Sequence, residues 1–345
     1  MPRQPNPVNH RKERYMQKLR WGVLSSAKIG RTKVIPAIQT SLLGEVVAIA
    51  SRTQESANEV AQELGIKRAH ASYEALLADP NVDAIYNPLP NHLHVPWSIK
   101  AIEAGKHVLC EKPLGLNTAD IEKLIKVALQ HPQIKVMEAF MYRFHPQWQT
   151  AKKLVHEGRI GQVRSIHSHF AYNSHDLDNI RNNPDWGGGA LMDIGCYCIS
   201  LSRFIYDEEP LRVLGQITTY AGYDVDCFVS GIMEFADGNA TFTASTKSEA
   251  EQYVEIHGEQ GSILIPLPFN PIADTITHIL LKRDGIQEEI VQLPSDHYRN
   301  MADAFAESVH QINPVPTPLS DALDNMKIID AIFASAKDSL WVAIE

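Results

Sequence analysis

Between residues 20 and 139, short apolar, often β-branched runs alternate with longer amphipathic stretches, a pattern that predicts a parallel sheet covered by helices on both faces. The runs that read as strands are Arg20 to Leu24, Val46 to Ser51, Ala84 to Tyr86, His107 to Cys110 and Ile134 to Glu138. All are short and mostly apolar, as strands buried on both faces must be. Helix punctuation falls between them. Thr53 opens a helix that ends near Gly65, Ser72 a short one before Asp79-Pro80, and Asn117 one that runs to about Gln130. Each of these side chains can accept a hydrogen bond from an otherwise unpaired N–H of the first helical turn.

After a helix from about Pro146 to His156, strand-like runs recur without helices between them. They are Val163 to Tyr172, Val213 to Tyr220, Phe228 to Phe235, Ala240 to Lys247, Tyr253 to Gly258 and Ile276 to Lys282, with Asp237-Gly238 placed as a hairpin turn. This half predicts a largely antiparallel sheet, one helix inserted at about Ala190 to Tyr206, and two helices closing the chain after Tyr298. The expected fold class is α/β: a doubly wound parallel domain over 20–139, then an α+β domain with an open, mostly antiparallel sheet over 140–345, preceded by a leader over 1–19. An open sheet has one face to cover, so a homodimer or homotetramer built through the C-terminal sheet is expected.

Composition narrows the function classes. The 345 residues, 44% hydrophobic and 21% charged, suffice for two cores. A formal net charge of −9 argues against a nucleic-acid partner, because phosphate binding needs concentrated Lys and Arg. The one basic stretch, Arg11, Lys12, Arg14, Lys18 and Arg20, reads as a solvated leader or packing arm. There is no apolar run of about 18 residues and no apolar core in the first 20, so no membrane partner and a cytosolic location are expected. Cys110, Cys196, Cys198 and Cys227 are too scattered for a disulfide framework and read as reduced, buried thiols.

The first strand leads through Val23-Leu24-Ser25-Ser26-Ala27-Lys28-Ile29-Gly30 into a helix, the place where a Rossmann domain carries its phosphate loop. Small residues there let the backbone approach a pyrophosphate held at the helix N-terminus. Ser25 and Ala27 occupy the first two glycine positions of the usual pattern and only Gly30 matches, so an ordinary strand-to-helix turn competes with this reading. At the end of the second strand, Ala50-Ser51-Arg52-Thr53 replaces the acidic residue that binds the ribose of NAD. A guanidinium with flanking hydroxyls suits a 2′-phosphate, which points to NADP rather than NAD. A surface arginine at a helix start is the competing reading of Arg52.

Four stretches carry a resemblance to a known family: Ala104-Gly105-Lys106-His107-Val108-Leu109-Cys110-Glu111-Lys112-Pro113, Tyr86-Asn87-Pro88-Leu89-Pro90-Asn91-His92-Leu93-His94, Tyr142-Arg143-Phe144-His145-Pro146, and Gly187-Gly188-Gly189-Ala190-Leu191-Met192-Asp193-Ile194-Gly195-Cys196-Tyr197. In this order, over roughly residues 20 to 340, they resemble the glucose-fructose oxidoreductase / inositol dehydrogenase / MocA (Gfo/Idh/MocA) family. Tyr197 stands where many members carry histidine and is similar to the glucose-fructose oxidoreductase, dihydrodiol dehydrogenase and xylose dehydrogenase branch, which generally uses NADP. The resemblance implies a dehydrogenase or reductase acting on a CH–OH group of a polyhydroxylated substrate, an aldose, ketose or trans-dihydrodiol. Two further readings stay open: a glucose-fructose oxidoreductase-like enzyme with a tightly held cofactor, and a non-catalytic NAD(P)-binding sensor or regulator.

Hydride transfer to a carbonyl leaves negative charge on oxygen, so a proton donor and a nearby cation are needed. Lys112 and Tyr197 meet that need, the ammonium lowering the phenol toward a usable value. Lys112 lies just past a strand, at the carboxyl edge where open α/β sheets bind ligands. Asp193 and Tyr197, four residues apart on one helix, point toward the same edge, with Asp193 orienting Lys112 or substrate hydroxyls. Ser25, Ala27, Lys28, Ile29, Ser51 and Arg52 are the expected contacts to the phosphate and ribose end of the cofactor. The resemblance adds Pro88, Leu89, Asn91 and His94 as a cofactor loop, Glu111 as a nicotinamide-side contact, Arg143 as a cofactor contact at the domain junction, and a cis bond before Pro113. Arg181 is a candidate substrate contact and Tyr298 a candidate nicotinamide contact. His92-x-His94 and His167-x-His169 lack a third ligand at tetrahedral spacing, so no metal is expected.

Overall fold

In a computed structural model that describes residues 17–344, the chain builds two sheets. Most of the expected leader therefore lies outside the described residues. The first sheet comprises β1 (Leu19–Leu24), β2 (Gly44–Ala50), β3 (Arg68–His70), β4 (Ala84–Asn87), β5 (His107–Cys110) and β6 (Val136–Glu138). All pairs are parallel and the order is β3-β2-β1-β4-β5-β6, the doubly wound order with its switch point between β1 and β4. The local signals act as read: Thr53, Ser72 and Asn117 accept from the backbone N–H of Ser56, Ala75 and Asp120 and open helices Gln54–Leu64, Tyr73–Leu77 and Thr118–Gln130. β3 escapes the periodicity because Arg68-Ala69-His70 is a three-residue edge strand with no apolar run.

The second sheet has nine strands: β7 (Val163–Asn173), β8 (Arg212–Thr218), β9 (Phe228–Glu234), β10 (Asn239–Ser245), β11 (Lys247–Gly258), β12 (Gly261–Ile265), β13 (Thr277–Arg283), β14 (Ile286–Gln292) and β15 (Val342–Ala343). Their order is β14-β13-β12-β11-β7-β10-β9-β8-β15, and only β7 and β10 pair in parallel. The run expected from Ala240 to Lys247 is broken at Thr246, whose N–H donates to the Cys227 carbonyl while its own carbonyl accepts from Ser174. β12, β14 and β15 were not expected. β14 is an exposed polar edge strand and β15 spans two residues, so neither shows alternation.

One face of this sheet packs on helices Pro146–His156, Cys196–Tyr206 and Leu319–Asp338. The other presents His167, His169, Thr241, Thr243, Tyr253 and Glu255 around a depression of about 900 Å³. The expected histidine pair lies here: His167 Nδ1 is 2.6 Å from Thr241 Oγ1, and His169 stacks on Tyr253. Among the described residues no group of His, Cys, Asp and Glu is disposed to hold a metal ion, and no helix is long and apolar enough to cross a membrane.

Where the sheets meet, Glu138 at the end of β6 is 3% exposed. Its Oε1 accepts from Leu114 N–H at 2.7 Å, just beyond the Lys112-Pro113 turn. Burial, with the charge of Asp321 nearby, pushes its carboxyl up to about 8, against the opposing influence of the Leu114 N–H, Arg143 and Arg203. An unfolded glutamate ionises near about 4.3, so over roughly pH 4 to 8 the unfolded chain has released a proton that the folded chain keeps. Stability from this group is present below that window and is lost as pH rises through the folded value of about 8. Glu138→Gln should flatten the fall in stability across this window, measured by urea unfolding at stepped pH; an unchanged slope would locate its source elsewhere.

Candidate active site

β1 ends at Leu24, and Ser25 turns the chain with a φ of 73°. Its N–H donates to the Ala50 carbonyl at 2.8 Å and its Oγ accepts from Ala27 N–H at 3.2 Å. A serine thus adopts the left-handed conformation that glycine takes more cheaply, a cost of about 1 kcal/mol that its hydroxyl offsets locally. The chain is helical from Lys28, with Gly30–Val34 wound as a π-helix. Ser25, Ala27 and Ile29 are half-buried and Lys28 is exposed at this helix start. At the end of β2, Ser51 is buried, Thr53 is spent on its capping bond, and Arg52 is exposed. Arg52 makes no hydrogen bond or ion pair with any other described residue. A tight turn, a helix N-terminus and a free guanidinium at adjoining strand ends fit a dinucleotide.

The loop after β4 differs in part from expectation. Pro88 and Leu89 are buried. The Asn91 Nδ2 donates to the Gly187 carbonyl at 2.8 Å, tying this loop to the second domain, and His92 stacks on Trp186 with ring centroids 5.3 Å apart. His94 is not placed to touch a cofactor. It is 1% exposed, its Nδ1 is 2.8 Å from the Pro113 carbonyl and its Nε2 2.6 Å from the Leu89 carbonyl. Burial pushes it down to about 4, so the neutral ring sits between the two segments and donates its single N–H to one of these two carbonyls. Arg143 is also corrected. It is buried, paired with Asp321 at 3.0 Å and bonded to Ser200 Oγ at 2.8 Å, which holds it in the domain junction.

Lys112 follows β5, and its bond to Pro113 is cis, as the resemblance implies. Its Nζ donates to the Asp193 carbonyl at 2.7 Å and lies 3.5 Å from Asp193 Oδ1. Asp193 receives two further partners: Arg181 Nε at 2.9 Å from Oδ1, and the Tyr172 hydroxyl, which donates to Oδ2 at 2.6 Å. Burial alone would raise this carboxyl, but the charges of Arg181 and Lys112 and the Tyr172 bond hold it well below the usual carboxylate range. Asp193 sits in a π-helical stretch, Leu191–Gly195, that runs directly into helix Cys196–Tyr206 with Tyr197 near its start.

Lys112 Nζ stands 4.8 Å from the centroid of the Tyr197 ring. The ammonium faces the ring and not the hydroxyl, so the expected lowering of the phenol does not occur. Burial, with Tyr298 and Glu111 close by, pushes Tyr197 well above its ordinary value and keeps it protonated. The ring packs among Phe140, Tyr142, Phe170 and Phe269, and its hydroxyl donates to Met141 Sδ at 3.4 Å, a weak acceptor. Glu111 accepts from the Tyr86 hydroxyl at 2.7 Å, and burial raises its carboxyl against the opposing charge of Lys112. Tyr298, on the first turn of helix His297–Gln311, lies close enough to Glu111 for that charge to raise its phenol further, after burial. Lys112, Asp193, Tyr197, Arg181, Glu111 and Tyr298 therefore converge. Tyr172 was missed, because it looks like any strand residue.

Two family models match the chain: the oxidoreductase family with an NAD-binding Rossmann fold over residues 19–140, and the GFO/IDH/MocA C-terminal domain over residues 148–264. A D-xylose 1-dehydrogenase (NADP(+)) from Haloferax volcanii is 38% identical over 327 residues, 94% of this chain and 99% of that protein. The mouse (Mus musculus) trans-1,2-dihydrobenzene-1,2-diol dehydrogenase is 32% identical over 248 residues, 70% of this chain and 73% of that protein. Among solved structures, KijD10, a 3-ketoreductase from Actinomadura kijaniata in complex with NADP and TDP-benzene, superposes with a TM-score of 0.87 at 30% identity, covering 92% of this chain and 98% of that one. The chain belongs to the GFO/IDH/MocA family of oxidoreductases, NAD(P)-dependent enzymes that act on CH–OH groups.

Proposed function

We propose that this protein is an NADP-dependent dehydrogenase or reductase of a sugar or trans-dihydrodiol-like substrate, with Lys112, Tyr197 and Asp193 as its catalytic groups. The observation that carries this reading is the Lys112–Asp193–Tyr197 cluster at the carboxyl edge of the parallel sheet. Ser25, Ala27, Lys28 and Ile29 would hold the pyrophosphate, Arg52 and Ser51 the 2′-phosphate and ribose, and Pro88, Leu89, Asn91, Glu111 and Tyr298 the nicotinamide half. When bound, the nicotinamide supplies or accepts the hydride.

The chain's own groups manage charge and the proton. Lys112 keeps a fixed positive charge beside the reacting oxygen, where the negative charge of the alkoxide develops. Tyr197 stores the proton: its O–H, held only by a thioether sulfur, can turn to the substrate oxygen at small cost. Asp193 fixes the direction of the ammonium. Arg181, whose side chain is 46% exposed while its Nε is paired, presents its remaining N–H groups to substrate hydroxyls. Support for the substrate class comes from the similar D-xylose and dihydrobenzene-diol dehydrogenases, whose named substrates carry neighbouring hydroxyls. The open face of the second sheet is the proposed dimer or tetramer surface.

Two measurements test the reading. Fluorescence titration should show tighter binding of NADPH than of NADH, with the difference largely lost in Arg52→Ala; equal affinities in the wild type would reject the 2′-phosphate role. With NADP and a panel of aldoses and trans-diols, Lys112→Met should lower turnover by about 10² to 10⁴-fold while cofactor still binds. Wild-type turnover in Lys112→Met would remove the lysine from the mechanism.

A further inference from the structure

We propose that Asp226 is a positioning residue for Asp193 and Tyr197, fixing the start of the helical segment that carries both. The first N–H groups of a helix have no partner within it. Here two of them are taken by one residue from a distant part of the chain. Ala190 N–H donates to the Asp226 main-chain carbonyl at 2.9 Å, and Leu191 N–H donates to Asp226 Oδ2 at 2.6 Å. Asp226 is 6% exposed and stands in the connection between β8 and β9.

The glycine motif ahead of the helix is shaped around this carboxylate. Gly189 has a φ of 109°, and a Cβ added to it would fall onto Asp226 Oδ1. The Gly189 carbonyl in turn accepts from Asp193 N–H at 3.0 Å. Asp226, Gly189 and Asp193 thus form a short chain of direct contacts ending at the carboxylate that faces Lys112. The intervening turn is a π-helix, a rare winding found mostly as single turns at functional sites. Its phase is set at its first residues, and a slip of one residue there would rotate every following side chain by about 100°. Burial pushes the Asp226 carboxyl up to about 6, and the N–H groups of Leu191 and Ala190 at the helix N-terminus oppose that rise in part.

The activity readout rests on the function proposed above, so the test pairs it with a structural one. Asp226→Ala should lower kcat for D-xylose oxidation with NADP by about 10- to 100-fold, with the NADPH dissociation constant unchanged. It should also accelerate hydrogen exchange at residues 190–193. Asp226→Asn, whose amide oxygen still accepts from Leu191, should recover most of the rate. Gly189→Ala should cost as much as Asp226→Ala, yet cost less when introduced into Asp226→Ala, because the clash has gone and only the φ strain remains. Should Asp226→Ala not fold, Asp226→Ser takes its place in the cycle. Unchanged kcat and exchange in Asp226→Ala, or an equal Gly189→Ala effect in both backgrounds, would overturn the proposal. If the wild type does not oxidise D-xylose, the exchange cycle decides alone, and D-xylose as the substrate is what has failed.

Discussion

The Lys112 ammonium, delivered by the parallel sheet, meets Asp193, delivered by the second domain, at 2.7 Å to its carbonyl and 3.5 Å to its carboxylate. Both side chains are nearly buried, and two desolvated charges stabilise a structure only if their geometry and remaining hydrogen bonds are satisfied. Arg181 and Tyr172 complete the carboxylate's shell, so the negative charge stays on Asp193. Every other feature of the centre follows from keeping those two groups in register across a domain boundary.

Much of the surrounding structure does this without touching the reacting atoms. His94 packs between the carbonyls of Pro113 and Leu89 and donates its one N–H to one of them, and Glu138 accepts from Leu114, so the segment bearing Lys112 is held against two elements of the first domain. Asn91 to Gly187 and His92 on Trp186 tie the cofactor loop to the glycine motif of the second. The clamps are buried polar groups, which are costly to leave unpaired and for that reason specify one arrangement. The aromatic cluster around Tyr197 adds bulk and dryness on the opposite side, which raises its phenol and strengthens the field of the ammonium.

The sequence by itself determined the elements whose cause is local. Strand and helix periods, the caps at Thr53, Ser72 and Asn117, the parallel-then-antiparallel division and the convergence of Lys112, Asp193 and Tyr197 are all legible, because periodicity, capping chemistry and motif spacing are properties of short stretches. Tertiary structure decided the rest. Edge strands such as Arg68–His70 and Ile286–Gln292 exist because a neighbouring strand offers hydrogen bonds, not because of their own pattern. The direction in which Lys112 approaches Tyr197 reversed the expected effect on the phenol, since a charge over a ring and a charge beside a hydroxyl act differently and only packing chooses between them. His94 and Arg143 look like ligand-binding residues in one dimension and prove to be internal braces in three. Burial and the partners of a charge are set by segments distant along the chain, as with Asp330 on Thr118, 212 positions apart, and Asp321 on Arg143. No local pattern carries that information.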